Sequence, residues 1–135
     1  MKNLNAYLTF SGNCGPAISF YNECLGGELK VMTFADAQMD VPAEAKNNIL
    51  HASLIVDGFS IMASDALPGQ SIVFGNSITL SIDCNSVEEQ DRYFNNLSNG
   101  GKITMPLEDT FWNARFGMVT DKFGIQWMFN FEKQA

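Results

Sequence analysis

The feature that most constrains this chain is a plan that occurs twice. FYNECLGGEL in the first half is matched by YFNNLSNGGKI in the second, and HASLIVDGFSIMAS by RFGMVTDKFGIQWMF. The first member of each set is a helix pattern stopped by paired glycines, Gly26-Gly27 and Gly100-Gly101. Glycine ends helices because the residue past the last turn takes a left-handed backbone that other residues adopt only with strain. The second member holds two alternating runs across a turn, Asp57-Gly58 in one half and Asp121-Lys122-Phe123-Gly124 in the other. Asp-Gly between alternating runs is a hairpin signal. Repetition of helix stop and hairpin together points to a duplicated supersecondary unit.

Around these anchors each half reads as strand, helix and three strands. In the first, LNAYLTF over residues 4–10 has strand composition, and SGNCGPAISFYNECLGG is a helix with Pro16 in its first turn. Its expected buried stripe is Ala17, Phe20 or Tyr21, Cys24 and Leu25. ELKVMTF is a strand, residues 35–48 are a polar loop, and the hairpin supplies two more strands. In the second half SITLSIDC is a strand and SVEEQDRYFNNLSNGG a helix with a Ser86/Glu89 capping box and a stripe of Val87, Gln90, Phe94 and Leu97. GKITMPLEDTF, NARFGMVTD and FGIQWMFNF follow as strands. The expected class is α+β, one domain of two tandem βαβββ modules over 1–135. Module one covers about 1–66, a Pro68-Gly69 linker about 67–76, and module two about 77–135.

Composition narrows the partners. A net charge of -7 with 8 scattered Lys and Arg opposes a phosphate backbone, so no nucleic-acid partner is expected. MKNLNAYLTF lacks an apolar run before a small-residue cleavage site, and no stretch of about 18 apolar residues occurs. No membrane association and a cytoplasmic location are therefore expected. Cys14, Cys24 and Cys84 are an odd set without a Cys-x-x-Cys pair, which favours free thiols in a reducing compartment over disulfides or structural zinc. Cys14 precedes the first helix, where the helix dipole favours a thiolate, but no histidine adjoins it in sequence and a buried thiol is the plainer reading.

GNC before the first helix, FYNECLGGEL, HASL, MASD and GGKITMPLEDTFWNARFGMVTDKFGIQWMFN, with their spacing, resemble PhnB-like proteins, also described as the 3-demethylubiquinone-9 3-methyltransferase-like domain. These form a branch of the vicinal oxygen chelate superfamily, with glyoxalase I, extradiol dioxygenases and bleomycin-resistance proteins. The resemblance implies modules whose mixed sheets curl into a cup, the glyoxalase/bleomycin resistance/dioxygenase fold. It also implies a divalent metal held by His or Glu from the first and last strands of each module, and a homodimer. The methyltransferase activity in the domain's name has no support in the residues, because no Gly-rich loop follows the first strand to seat a nucleotide-like cofactor.

Laid over the superfamily's strands, the metal positions fall at Asn5, Met62, Ser77 and Met128, none of them His or Glu. Met62 and Met128 each lie four residues past a hairpin glycine, Gly58 or Gly124. Thioethers suit monovalent copper rather than an ion that activates water, so no metal and no cofactor are expected, and the superfamily's metal chemistry is in doubt. With those positions inward, alternation brings Tyr7, Ser60, Ser64, Thr79, Ser81, Gln126 and Asn130 to the cup and turns Leu8, Ile61, Ala63, Ile78, Leu80, Ile82, Trp127 and Phe129 toward the helices.

Matching HASLIVD to RFGMVTD sets His51 opposite Arg115, both expected inside the cup. His51 is a candidate acid or base, or a donor to an anion, although a lone histidine is more often structural. Arg115 offers a fork for a carboxylate or phosphate and equally suits an ion pair with Glu108 or Asp109. Phe111-Trp112 would roof the cup or lie in a subunit interface. The expected ligand-binding set is Tyr7, His51, Ser64, Thr79, Trp112, Arg115 and Asn130, around a small polar or cationic molecule. The alternative is a glyoxalase-like lyase or dioxygenase whose metal is held by other ligands, such as His51 with Glu108 or Asp65. A third reading is an assembly protein with a degenerate cup.

Overall fold

The computed structural model describes residues 1–133. The elements run β1 (Ala6–Phe10), α1 (Cys14–Leu25), β2 (Glu28–Thr33), β3 (Ile49–Val56), β4 (Phe59–Asp65), β5 (Leu80–Asp83), α2 (Val87–Ser98), β6 (Lys102–Asp109), β7 (Ala114–Thr120) and β8 (Gln126–Glu132), with one 3-10 turn at Ala43–Ala45. The chain is α+β, with two four-stranded mixed sheets ordered β1-β4-β3-β2 and β5-β8-β7-β6. In each the first strand pairs in parallel with the last and the other contacts are antiparallel. One compact unit spans Met1–Val73 and the other starts at Phe74. None of the described helices is long and apolar enough to cross a membrane.

Helix α1 buries Cys14, Ala17, Ile18, Phe20, Tyr21, Cys24 and Leu25, the expected stripe with both Phe20 and Tyr21 in it and widened by Cys14 and Ile18. Its N-cap residue, Asn13, makes no side-chain cap. That work falls to Asp65 at the end of β4, whose Oδ1 accepts the N–H groups of Gly12 at 2.8 Å and Cys14 at 2.9 Å while Oδ2 accepts that of Ile49 at 2.8 Å. A carboxylate here satisfies orphan N–H groups and complements the positive helix end. Helix α2 is capped locally: Ser86 Oγ accepts from Glu89 N–H, and Glu89 Oε1 accepts from Asn85 N–H, one residue earlier than a reciprocal box requires. Val87, expected in the stripe, is 39% exposed because it opens the helix; Gln90, Phe94 and Leu97 carry the buried face.

The paired glycines have the same cause in both modules. Gly26 and Gly100 both take φ of 77°, a positive φ that residues with a side chain adopt only with strain. A Cβ on Gly27 would stand 2.4 Å from the carbonyl oxygen of Ile55 on β3, and one on Gly101 2.4 Å from that of Thr120 on β7. Only hydrogen fits there, so the second glycine lets the chain re-enter the sheet beside its neighbouring strand.

Under α1 the first unit buries Phe10, Leu54, Ile61 and Ala63; under α2 the second buries Val119, Trp127 and Phe129. Trp127 donates its indole N–H to Asp121 Oδ2 at 2.8 Å, so the buried ring leaves no polar atom unmet.

Candidate functional site

Each sheet has one face packed on its helix and one open face. In β4, Ile61, Ala63 and Asp65 are buried, whereas Ser60, Met62 and Ser64 are half-buried on the other side; in β8, Trp127 and Phe129 are buried while Gln126, Met128 and Asn130 face outward. This is the division expected from alternation.

On the open face of the first module Tyr7 pairs with Met62 across β1 and β4, Met62 with Ser53 across β4 and β3, and Thr9 with Ser64. His51 lies on the same side of β3 as Ser53, opposite Met32 of β2. The exposed Tyr7 and His51 reach over β4 toward each other, with the hydroxyl 3.4 Å from His51 Nδ1 and ring centroids 5.9 Å apart. The structure thus brings Tyr7, His51, Met62 and Ser64 onto one surface.

The position of Arg115 is a correction. Ala52 and Leu54 of β3 pair with the buried Ala63 and Ile61 of β4; Gly117 and Val119 of β7 pair with the buried Phe129 and Trp127 of β8. The counterpart of His51 is therefore Phe116, one residue further along than matching HASLIVD to RFGMVTD implies. The two hairpins differ in length: Val56 and Phe59 close the first, Thr120 and Gln126 the second. Aligning their aspartates slips β7 by one residue, and a one-residue slip in a strand turns every side chain to the opposite face. Arg115 sits on the helix side, where Nη1 donates to Gln90 Oε1 at 3.2 Å and pairs with Asp91 Oδ1 at 2.9 Å. Neither of the anticipated partners, Glu108 or Asp109, is the one it meets there.

The open face of the second module forms rows across the strands. Glu108, Phe116, Asn130 and Asp83 make one row, and Met105, Met118, Met128 and Ser81 the next. Trp112 leans its ring on Phe116, centroids 6.0 Å apart, and Phe111 stands edge-on to Trp112 at 4.9 Å. Thr79 lies immediately before β5, whose ladder starts at Leu80, so Ser77 falls in a bend outside the strand in which it was expected. Ile78, expected under a helix, is 76% exposed for the same reason. Sequence reading missed Phe116, Met118, Met105, Glu108 and Asp83 as open-face residues. The signal was Gly117, whose absent side chain makes room for Leu107 and Phe94 and so marks the packed side of β7.

The superfamily's metal positions do not fit a hard or borderline divalent ion. The Asn5 carboxamide oxygen accepts a hydrogen bond from Ser60 Oγ at 3.0 Å, and Met62 and Met128 offer only thioethers. The alternative ligand pair of His51 with Asp65 is not formed either. Asp65 is on the helix side of β4 with its oxygens engaged by backbone N–H groups, while His51 faces the open side. Among the described residues no group of three or more His, Cys, Asp or Glu is placed to hold a metal.

Cys14 is no activated thiol. Its burial, and next the negative charge of Asp65, push the thiol up to about 12, and burial followed by Glu89 and Asp83 pushes Cys84 up to about 11. The expected help of the helix end is already spent on Asp65.

A family model described as 3-demethylubiquinone-9 3-methyltransferase matches residues 2–129. Protein YjdN of Escherichia coli K12 is 40% identical, over 97% of this chain and 96% of its own length. The crystal structure of protein PA1353 from Pseudomonas aeruginosa superposes with a TM-score of 0.88 at 42% identity, covering 99% of this chain and 100% of that one. A PhnB protein from Bacillus cereus gives 0.76 at 23% identity over 96% and 99% of the two chains. A glyoxylase/bleomycin resistance protein/dioxygenase domain from Frankia gives 0.68 at 16% identity over 98% and 99%. The last two likenesses establish the fold alone.

Proposed function

Because this chain belongs to the PhnB-like family described as 3-demethylubiquinone-9 3-methyltransferase, we propose that it binds a small polar molecule on the open faces of its sheets without the metal typical of that fold. The observation that carries this reading is the split of each sheet into a helix-packed apolar face and an open face of hydroxyl, amide, imidazole, thioether and aromatic groups. A merely solvated face would not need its imidazole and phenol turned toward each other, as His51 and Tyr7 are. Tyr7, His51 and Ser64 in the first module, and Thr79, Trp112 and Asn130 in the second, are the proposed contacts. Arg115 is left out, since its guanidinium serves α2.

Methyl transfer is not part of the proposal. The first helix start, where an anionic cofactor group would dock, has its Gly12 and Cys14 N–H groups taken by Asp65, and the sheets are not doubly wound. Homodimerisation and a cytoplasmic setting complete the reading. The latter is supported by three buried cysteines that are thiols rather than disulfides.

A thermal-shift screen of small metabolites, run in excess EDTA and followed by calorimetric titration of the hits, tests it. A hit should keep its affinity in EDTA and lose about fivefold to thirtyfold in His51→Ala or Asn130→Ala, the worth of one good hydrogen bond. Binding that vanishes in EDTA and returns with one divalent metal would reject the metal-free reading.

A further inference from the structure

We infer that the open face of the second module selects an organic cation with an apolar body, its charge met by the aromatic rings of Trp112 and Phe116 and the carboxylates of Glu108 and Asp83. The inference rests on the reading of that face as a binding surface and names the chemical class it takes.

In the row Glu108, Phe116, Asn130, Asp83, neighbouring strands stand about 4.8 Å apart, so an aromatic ring lies between two carboxylates a few strands from each other. Trp112 sets its ring edge-on to Phe116, and Phe111 continues the cluster. Phe111 is 97% and Trp112 53% exposed, a contiguous aromatic surface of the kind folded chains reserve for an interaction. Aromatic faces carry negative charge density and attract cations, most strongly for tryptophan.

The basic groups of this module are engaged or distant. Arg115 is on the other face with Asp91, Arg92 lies over the Tyr93 ring on α2, Lys133 pairs with Asp109, Lys122 lies over the Phe123 ring in the β7–β8 turn, and Lys102 stands opposite Thr120 at the far end of the sheet. The local field is negative, in keeping with a net charge of -7. An anion would meet two carboxylates with no facing guanidinium. A neutral apolar ligand would leave the charge of Glu108 and Asp83 unmatched, Asp83 accepting a long hydrogen bond from the Asn130 carboxamide at 3.5 Å.

The next row explains the rest of the ligand. Met105, Met118 and Met128 stand side by side across three strands, and thioether side chains adapt to flat or irregular apolar shapes. A molecule with a cationic head over the aromatic row and an apolar body over the methionines matches both.

Calorimetric titration of the full chain with benzyltrimethylammonium, benzyl alcohol and phenylacetate separates the classes. The cation should bind about tenfold or more tightly than the other two and weaken as salt is raised. Trp112→Leu and Glu108→Gln, exchanges at the surface, should each weaken it about threefold or more. Benzyl alcohol or phenylacetate binding as well as the cation would overturn the cation class; if Trp112→Leu still lost that binding, the wider reading of the face would survive. No binding by any probe also overturns it. In that case sedimentation showing a higher monomer fraction in Trp112→Leu would identify a second copy of the chain as the occupant of this face.

Discussion

Asp65 and Cys14 show how one side chain settles a question at residue scale. Asp65 is 5% exposed and accepts three backbone N–H groups, so its charge is used to hold the loop before α1 and the start of β3 onto the end of β4. The same charge, added to burial, keeps Cys14 protonated. Its native value of about 12 lies above the ordinary thiol value of 9.0, so between these the native state holds a proton that the unfolded chain releases. The contribution of the buried neutral thiol to stability is thus complete below about pH 9 and is lost as pH rises toward about 12. Urea unfolding of Cys14→Ala should show a constant deficit against the parent chain up to pH 9 that narrows above it; a deficit that widens with pH would contradict the assignment. Cys84, raised to about 11, remains in both proteins and leaves a common alkaline decline.

The contact between α2 and β7 is where elements, rather than residues, decide function. Gln90 is fully buried; its Nε2 donates to the carbonyls of Arg115 at 2.8 Å and Phe129 at 3.1 Å, and its Oε1 accepts from Arg115. Gln90→Met keeps the volume but strips two carbonyls, that of Phe129 buried and that of Arg115 part-buried, of a donor, which should cost about 2–4 kcal/mol in urea unfolding. Arg115→Met removes an ion pair whose carboxylate side chain is 47% exposed and also takes the donor from the buried Gln90 Oε1, so it should cost about 1–3 kcal/mol, with no change in the affinity of any ligand found for the open face. An affinity loss in Arg115→Met would restore the arrangement first read from sequence. That reading erred for a definable reason. Helix stops, caps and hairpin glycines are local, and Gly26-Gly27, Gly100-Gly101, Ser86 and Asp57-Gly58 were all legible in the sequence. Strand facing in β7 depends on the length of the turn that follows it. Asp121 looks like Asp57, but its Oδ1 accepts from Phe123 and Ile125 to close a wider loop, a difference no local pattern announces. The open-face residues of β4 and β8 were legible because each is counted from a glycine within its own hairpin. Those of β6 were not, because the ladder shifts between Ile103 and Met105 and again before Glu108, around Pro106.

At the scale of the whole molecule the duplication gives the fold its economy: each module solves helix exit, strand re-entry and parallel closure in the same way, as the matching glycine approaches to Ile55 and Thr120 show. What is not duplicated is the chemistry of the open faces. The first offers imidazole, phenol and hydroxyls; the second offers rings, thioethers and carboxylates. Neither presents the imidazole and carboxylate set that would grip a divalent ion, and this has a thermodynamic consequence. A ligand that binds only the native state stabilises it by RT ln(1 + [L]/Kd), about 4 kcal/mol when the ligand is a thousandfold above Kd. A resident site with a micromolar Kd would therefore raise the melting temperature by about 10 °C or more in millimolar zinc, nickel or manganese, and stripping the metal with EDTA would reverse it. With Asn5 bonded to Ser60 and thioethers at positions 62 and 128, the melting temperature should instead stay within about 2 °C in each metal and in EDTA. A stabilisation specific to one of those ions, abolished by Asn5→Ala or Met128→Ala, would show that these side chains do form a divalent site and would overturn the metal-free account of the molecule.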